Sequence, residues 1–117
     1  MTITGLKTLE MWRDGFAGEN SDAIAEILTD DFIFVGSDGD TRSREETLNW
    51  VSTTPDLVMS DLEVLYENDE VLVGLHSVVR SGIPGKVMFF ARIEDGKFSF
   101  WRVNLVSSVT LGNPART

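Results

Sequence analysis

The spacing of apolar residues changes along the chain, from helical intervals near the N-terminus to a β-strand pattern in the second half. The first apolar positions recur at intervals of three and four residues: Leu6, Leu9, Trp12 and Phe16. This spacing places them on one face of an amphipathic α-helix. We predict that the helix ends near Gly18-Glu19-Asn20.

A short second helix is predicted directly after the first. Asn20 and Ser21 are of the residue types that cap helix N-termini, because their side-chain oxygens accept hydrogen bonds from free backbone N–H groups. The apolar stripe of this helix is formed by Ile24, Ile27 and Leu28. We expect that stripe to be buried.

A strand and a third helix complete the first half. Phe32–Val35 predicts a short strand, which ends in the polar segment Gly36–Asp40. Ser43 and Glu46 match a capping box, in which each side chain accepts a hydrogen bond from the backbone N–H of the other residue. The helix should end before Pro55, since the residue before a proline disfavours helical geometry. Its apolar positions are Leu48, Trp50 and Val51.

From Ser60 onward the pattern is that of four antiparallel strands. The strands are predicted around Leu62–Tyr66 and over Val71–Arg80, Val87–Ile93 and Phe98–Val106. The turns between them are Asn68-Asp69, Ser81–Gly85 and Asp95-Gly96. Asp-Gly between apolar runs is a strong hairpin signal, because a type I′ turn needs positive φ at both central residues. Helices followed by a meander predict an α+β fold, with the helices packed on one face of a curved sheet.

The last strand combines aromatic and polar residues. Because side chains alternate, Arg102 and Asn104 share one face, and the flanking apolar residues share the other. Polar groups among aromatics on an interior strand predict a lined cavity. The last two strands are also apolar on both faces, so we expect the second face to meet a partner subunit and form a homodimer.

Composition limits the classes of function. The 117 residues, 42 % hydrophobic and 25 % charged, fit one globular domain over residues 1–117. The net charge of −9 would repel a phosphate backbone, so nucleic-acid binding is not expected. No apolar run is long enough to span a membrane, and the N-terminus lacks the features of a secretory signal. A cytoplasmic location is therefore the default expectation.

The order of the predicted elements resembles that of a known superfamily. The similar segments are Trp12 followed by Gly18–Leu28, Thr29–Phe34, Ser43–Val51, and Asp95–Phe98 followed by Trp101-Arg102. In this order they resemble the nuclear transport factor 2-like superfamily, in particular its SnoaL-like and ketosteroid-isomerase-like members. The resemblance covers nearly the whole chain. It implies a cone-shaped α+β barrel with a deep apolar pocket, commonly dimeric through the sheet.

The same resemblance does not imply one activity. Members include isomerases, cyclases, epoxide hydrolases, dehydratases and non-catalytic binding proteins, so the fold alone does not select among them. Several of these enzymes carry an acidic residue near the end of the last strand, where this chain has Leu105 and Val106. Neither side chain transfers protons. That departure argues against cyclase or epoxide-hydrolase chemistry.

His76 is the candidate for proton transfer. It is the only histidine, and imidazole is the side chain whose ordinary pKa lies near neutrality. If Asn68-Asp69 is a two-residue turn, Asp61 lies opposite His76, where its carboxylate would raise the pKa of the ring. The alternative is a histidine that is hydrogen-bonded inside the sheet and has no role in a pocket. Without cysteine, a transition-metal site is not expected.

A ligand site is predicted from five residues: Trp12, Trp50, His76, Arg102 and Asn104. The tryptophans would form apolar walls, Asn104 would donate to a carbonyl, and Arg102 would hold a carboxylate. A salt bridge at the sheet rim is the alternative for Arg102. No cofactor is predicted, since Gly36–Gly39 lacks a phosphate-loop pattern.

Three functions fit these features. The first is a small-molecule binding protein for an apolar or aromatic ligand. The second is an isomerase- or cyclase-like enzyme, with His76 as general base and Asn104 as electrophilic support. The third is a dimerising interaction module with a vestigial pocket. We favour binding, because one histidine without the terminal-strand acid provides little catalytic machinery.

Overall fold

The computed structural model of the protein describes residues 4–108. These residues form three helices and a six-stranded sheet. The elements are α1 (Gly5–Gly18), α2 (Asp22–Ala25), β1 (Leu28–Val35), β2 (Thr41–Ser43), α3 (Arg44–Thr53), β3 (Leu57–Glu67), β4 (Val71–Arg80), β5 (Ile83–Glu94) and β6 (Lys97–Ser108). The predicted α+β class is confirmed. Within the described residues, no helix is long and apolar enough to cross a bilayer.

Local backbone signals begin and end α1. The Thr4 side chain accepts a hydrogen bond from the Lys7 N–H at 3.2 Å, and the helix ends at a left-handed Glu19 with φ of 52°. The buried apolar residues are Leu9, Trp12 and Phe16, as predicted. Leu6 is instead 47 % exposed, because it lies to one side of the face that contacts the sheet.

The second helix is only one turn long. The Asn20 Oδ1 atom accepts a hydrogen bond from the Asp22 N–H at 2.9 Å, while the Ser21 side chain makes no capping bond. Ile27 and Leu28 are buried as predicted. They lie beyond the helix, however, and β1 already begins at Leu28.

The third helix follows its prediction closely. The Ser43 Oγ atom accepts from the Glu46 N–H at 3.2 Å, and the Glu46 Oε1 atom accepts from the Ser43 N–H at 2.8 Å. The capping box is therefore present, and it fixes the first turn. The helix ends at Thr53, before Pro55. Its position presents Val51 and Trp50 to the rest of the core.

The sheet has the strand order β2-β1-β6-β5-β4-β3. Strands β3 to β6 form the predicted antiparallel meander. β1 lies parallel to β6, and β2 pairs antiparallel with the end of β1. The predicted sheet had five strands, because the residues of β2 were not assigned to a strand. Three polar residues carry no alternation from which a strand can be recognised.

Two tight turns connect the long strands. Ser81 and Gly82 have φ of 52° and 81°, and Asp95 and Gly96 have φ of 53° and 82°. Both central residues of each turn are thus left-handed, as a type I′ turn requires. The Asp-Gly prediction is confirmed. The first turn is shorter than predicted, because β5 already begins at Ile83.

An irregularity in β3 changes the register around Asp61. Ser60 pairs with Ser77, and Glu63 pairs with Leu75, so an extra residue is accommodated between them. Asp61 has φ of 52°, and its Oδ2 atom accepts a hydrogen bond from the Ser77 hydroxyl at 2.8 Å. The predicted pairing of Asp61 with His76 is therefore wrong.

The two faces of the sheet differ in what covers them. The inner face packs against the helices and contributes buried residues such as Phe89, Ala91 and Trp101. On the outer face Leu75 lies opposite Met88, and the Phe90 and Phe100 rings are 6.4 Å apart. No other element of residues 4–108 covers this outer row. The outer face of β5 and β6 thus carries apolar side chains, but on β6 they are interrupted by Arg102 and Asn104.

Candidate functional site

A partly open cavity of about 460 Å³ lies between the helices and the inner face of the sheet. Helix α1 contributes Trp12 and Phe16, and α3 contributes Trp50. The sheet contributes Phe34 from β1 and Trp101 from β6. The volume lies within the range of small-molecule sites.

Aromatic rings form a continuous wall around this cavity. The Trp12 ring centroid lies 5.2 Å from that of Trp101, and the Trp50 centroid lies 5.1 Å from Phe34 and 4.9 Å from Phe16. These separations are those of interacting aromatic pairs. Such a wall is rigid and apolar, and it offers ring faces and edges to a flat ligand.

His76 supplies the buried polar group of the cavity. Its side chain lies on β4, and the residue is 7 % exposed. The Nδ1 atom lies 3.1 Å from the Ser77 carbonyl oxygen. Because a carbonyl only accepts, Nδ1 carries the proton of the neutral ring and Nε2 keeps a lone pair. Burial lowers the pKa of His76 below its ordinary value of 6.5, so the ring is neutral at pH 7.

Two indole N–H groups next to the cavity lack an acceptor. The Nε1 atoms of Trp12 and Trp50 are buried, and neither has a hydrogen-bond partner among residues 4–108. A buried donor without an acceptor is destabilising. The walls of the cavity therefore contain unused hydrogen-bonding capacity in addition to His76.

Charged residues lie at the open end of the cavity. Arg42 on β2 places its guanidinium 4.4 Å from the Trp50 ring centroid and 5.7 Å from that of Phe34. Arg80, at the end of β4, also lines the opening. Asp38 lies beside them, and the backbone N–H of Asp40 donates to its Oδ1 atom at 3.0 Å. This hydrogen bond lowers the pKa of the Asp38 carboxyl, and Arg42 contributes a smaller effect in the same direction.

Three of the five predicted ligand-site residues meet in this cavity, and two do not. Trp12, Trp50 and His76 line it, and their role in binding stays a prediction. Arg102 and Asn104 are exposed on the outer face, where they lie opposite Phe90 and Met88. The prediction that Asn104 and Arg102 face the pocket is therefore wrong.

The prediction for β6 had the wrong side chains facing inward. The alternation of polar and apolar residues correctly separated the two faces of the strand, but the polar face was predicted to be the interior one. The structure turns the apolar set inward: Trp101, Val103 and Leu105 line the cavity. Packing Trp101 and Val103 against the core is favourable, whereas burying Arg102 and Asn104 would require partners for each polar group.

Arg42 lines the cavity but was not among the five residues predicted for the site. Its pairing partner in the sheet is Phe34, an inner-face residue of β1. That pairing brings the Arg42 side chain over the aromatic wall. The sequence held no clear signal for this position, because the three residues of β2 are too few and too polar to show strand alternation.

A metal site is not apparent in the described part of the chain. No three His, Asp or Glu side chains among residues 4–108 are grouped so as to hold an ion. The absence of bound metal in the purified protein stays a prediction.

Sequence comparison identifies the family. Residues 9–101 match the SnoaL-like domain. The chain belongs to the SnoaL-like domain family. The predicted membership of the nuclear transport factor 2-like superfamily, in its SnoaL-like branch, is confirmed. A comparison with curated proteins finds no match.

Solved structures share the fold at low sequence identity. An NTF2-like protein of unknown function from Cytophaga hutchinsonii has a TM-score of 0.74 at 16 % identity, covering 90 % of this chain and 92 % of its own. A putative ketosteroid isomerase from Kribbella flavida has a TM-score of 0.72 at 12 % identity, covering 96 % and 90 %. An LEH-like epoxide hydrolase from M. tuberculosis has a TM-score of 0.63 at 12 % identity, covering 86 % and 80 %. At these identities the similarity establishes the fold alone.

Proposed function

We propose that this SnoaL-like domain binds a flat, mostly apolar small molecule in the cavity between its helices and its sheet. The observation that carries the proposal is the aromatic wall formed by Trp12, Trp50 and Trp101 with two phenylalanines. Aromatic residues that line a partly open cavity retain unburied apolar surface, which a ligand of complementary shape would cover.

The polar groups of the cavity define what the ligand carries besides its apolar body. In the neutral ring of His76, Nε2 is an acceptor, so it suits a ligand hydroxyl or N–H group. The indole N–H groups of Trp12 and Trp50 lack acceptors, and such donors suit a carbonyl or ether oxygen. A flat molecule with one or two oxygen atoms meets both requirements.

A ligand screen followed by matched variants tests this proposal. Compounds with two to four fused rings are screened by thermal shift, and hits are measured by calorimetry. His76→Leu, which keeps the volume and removes the acceptor, should weaken binding by about 0.5–1.5 kcal/mol. Asn104→Leu makes a similar change on the outer face and should leave binding unchanged. Equal affinity in the parent protein and folded His76→Leu would exclude His76 from the site.

A second candidate function is general-base catalysis at His76. The supporting observation is that the ring is buried, oriented by Ser77 and neutral at pH 7, which is the form that accepts a proton. Isomerisation of 5-androstene-3,17-dione, followed by ultraviolet absorbance, is a direct assay for such a base. If His76 is the general base, the parent protein should turn over this substrate and His76→Gln should not. Equal rates in the two proteins would exclude His76 as the general base.

We further propose that a second copy of the chain covers the outer face of the sheet. The support is the exposed apolar row on β4, β5 and β6, in which Met88 is 39 % and Val106 is 49 % exposed. Contiguous apolar surface of this kind is typical of protein interfaces. A homodimer would leave the cavity on the opposite face of each sheet accessible to ligand. The vestigial-pocket alternative predicts the same dimer without ligand binding.

A further inference from the structure

We propose that the ligand of this cavity carries a single carboxylate, and that Arg42 binds it at the cavity opening. The inference rests on the proposed function and narrows its ligand class. It places the apolar body of the ligand against the aromatic wall and its charged end at the opening.

The Arg42 guanidinium stacks on an aromatic ring and forms no ion pair within 4.0 Å in residues 4–108, although Asp38 is near enough for Arg42 to lower the pKa of its carboxyl. It stacks over Trp50 at 4.4 Å and is half-buried, a geometry stabilised by cation–π attraction. No side-chain hydrogen bond or ion pair joins it to any group of residues 4–108. Arg44 is different, since it donates to the Ala25 carbonyl oxygen at 2.8 Å. The donors of Arg42 therefore remain available in a fixed orientation.

The charge at the opening favours an anion although the whole chain carries −9. Arg42 and Arg80 contribute two positive charges, and Asp38 contributes one negative charge. The Asp38 carboxylate already accepts the Asp40 N–H, and no carboxylate oxygen of residues 4–108 lies within 4.0 Å of the Arg42 guanidinium nitrogens. One positive charge is left over. This balance fits a monoanion better than a phosphate dianion.

Carboxylate chemistry matches the arginine geometrically as well. A guanidinium donates two parallel hydrogen bonds to the two oxygens of a carboxylate, and these charge-assisted bonds are among the strongest in proteins. The Trp50 ring contacts both the guanidinium and the cavity. A flat ligand lying against that wall therefore has its end group close to Arg42.

The first experiment compares an acid with its neutral isostere. 2-Naphthoic acid and 2-naphthamide share the same ring system, and only the acid is an anion at neutral pH. By calorimetry on the full chain, the acid should bind about tenfold more tightly than the amide. Arg42→Gln should abolish this preference, so that acid and amide bind with equal affinity, and the remaining amide binding shows that the cavity is intact.

Matched variants separate a specific contact from net charge. Arg13→Gln removes one positive charge from an exposed site on α1 and should preserve the preference for the acid. Arg42→Lys keeps the charge but loses the paired donors, so it should retain part of the preference. Arg80→Gln should have a smaller effect than Arg42→Gln, because Arg80 is exposed and screened by water and salt.

Several results would overturn the inference. Equal binding of acid and amide would refute the carboxylate and leave the proposed function standing, whereas binding of neither compound would contradict both. An acid preference that survives Arg42→Gln would mean that another group binds the anion. Tighter binding of 2-naphthyl phosphate than of 2-naphthoic acid would refute the single carboxylate.

Discussion

At the scale of single residues, His76 is a polar side chain in an apolar part of the cavity. Its position on β4 places an imidazole among apolar neighbours, with Val87 opposite on β5 and the Phe89 ring 6.1 Å away. The hydrogen bond to the Ser77 carbonyl satisfies only the Nδ1 atom of the ring. A charged imidazolium would need a second acceptor for Nε2, and its desolvation would be costly.

This environment predicts a pH dependence of folding. Burial lowers the pKa of His76 in the folded protein below 6.5, so the unfolded chain binds its proton first as the pH falls. The free energy of unfolding should therefore decrease as the pH drops below about 6.5. Urea denaturation at a series of pH values measures this slope. His76→Gln should show a smaller slope over the same interval, and identical slopes would contradict a depressed pKa.

Gly74 predicts a second effect at the residue scale. A Cβ atom built on Gly74 would overlap the Glu63 carbonyl oxygen and lie 2.8 Å from the Phe89 ring. Gly74→Ala should therefore lower the free energy of unfolding by about 1–3 kcal/mol. Gly18 at the end of α1 has no such neighbour within 4 Å, so Gly18→Ala serves as the control. Equal stabilities of the two variants in urea would refute the close approach.

At the scale of elements, the helix caps make a paired prediction. Ser43 caps α3 through the Glu46 N–H, whereas the Ser21 side chain makes no capping bond to α2. Ser43→Ala should reduce the free energy of unfolding by about 1 kcal/mol. Ser21→Ala should reduce it by much less. Thermal and urea denaturation of both variants provide the measurement, and a larger loss for Ser21→Ala would contradict this assignment of caps.

The helices and strands also show which features of the fold can be predicted from sequence patterns. Helix spacing, the capping box and the Asp95-Gly96 turn are local signals, and each was confirmed because short-range backbone geometry decides it. The pairing of Asp61 was not local. It depended on an irregularity in β3, and one extra residue in a strand shifts every later side chain. Which side chains of β6 face inward was likewise not a local property, because it depends on the apolar surface of the helices that pack against the sheet.

At the scale of the whole molecule, the sheet separates two surfaces with different requirements. The inner surface is concave and is only partly filled by the helices, which leaves the cavity. The outer surface carries an apolar row that includes Leu75, Met88 and Phe90, with Arg102 and Asn104 beside it, and it lacks a covering layer in residues 4–108. A ligand and a second subunit would therefore occupy opposite faces, so that dimerisation and binding should vary independently.

That independence gives the last prediction. Met88 lies in the outer row and is 39 % exposed, so Met88→Glu should be tolerated by the monomer but place a desolvated charge in a dimer interface. We expect the parent protein to sediment as a dimer at micromolar concentration and Met88→Glu to sediment as a monomer. Leu6→Glu adds the same charge at a 47 % exposed residue of α1 and should remain dimeric. A parent protein that sediments at 13.0 kDa would refute the dimer. If Met88→Glu were monomeric and still bound 2-naphthoic acid with the parent affinity, the cavity would be complete within one subunit.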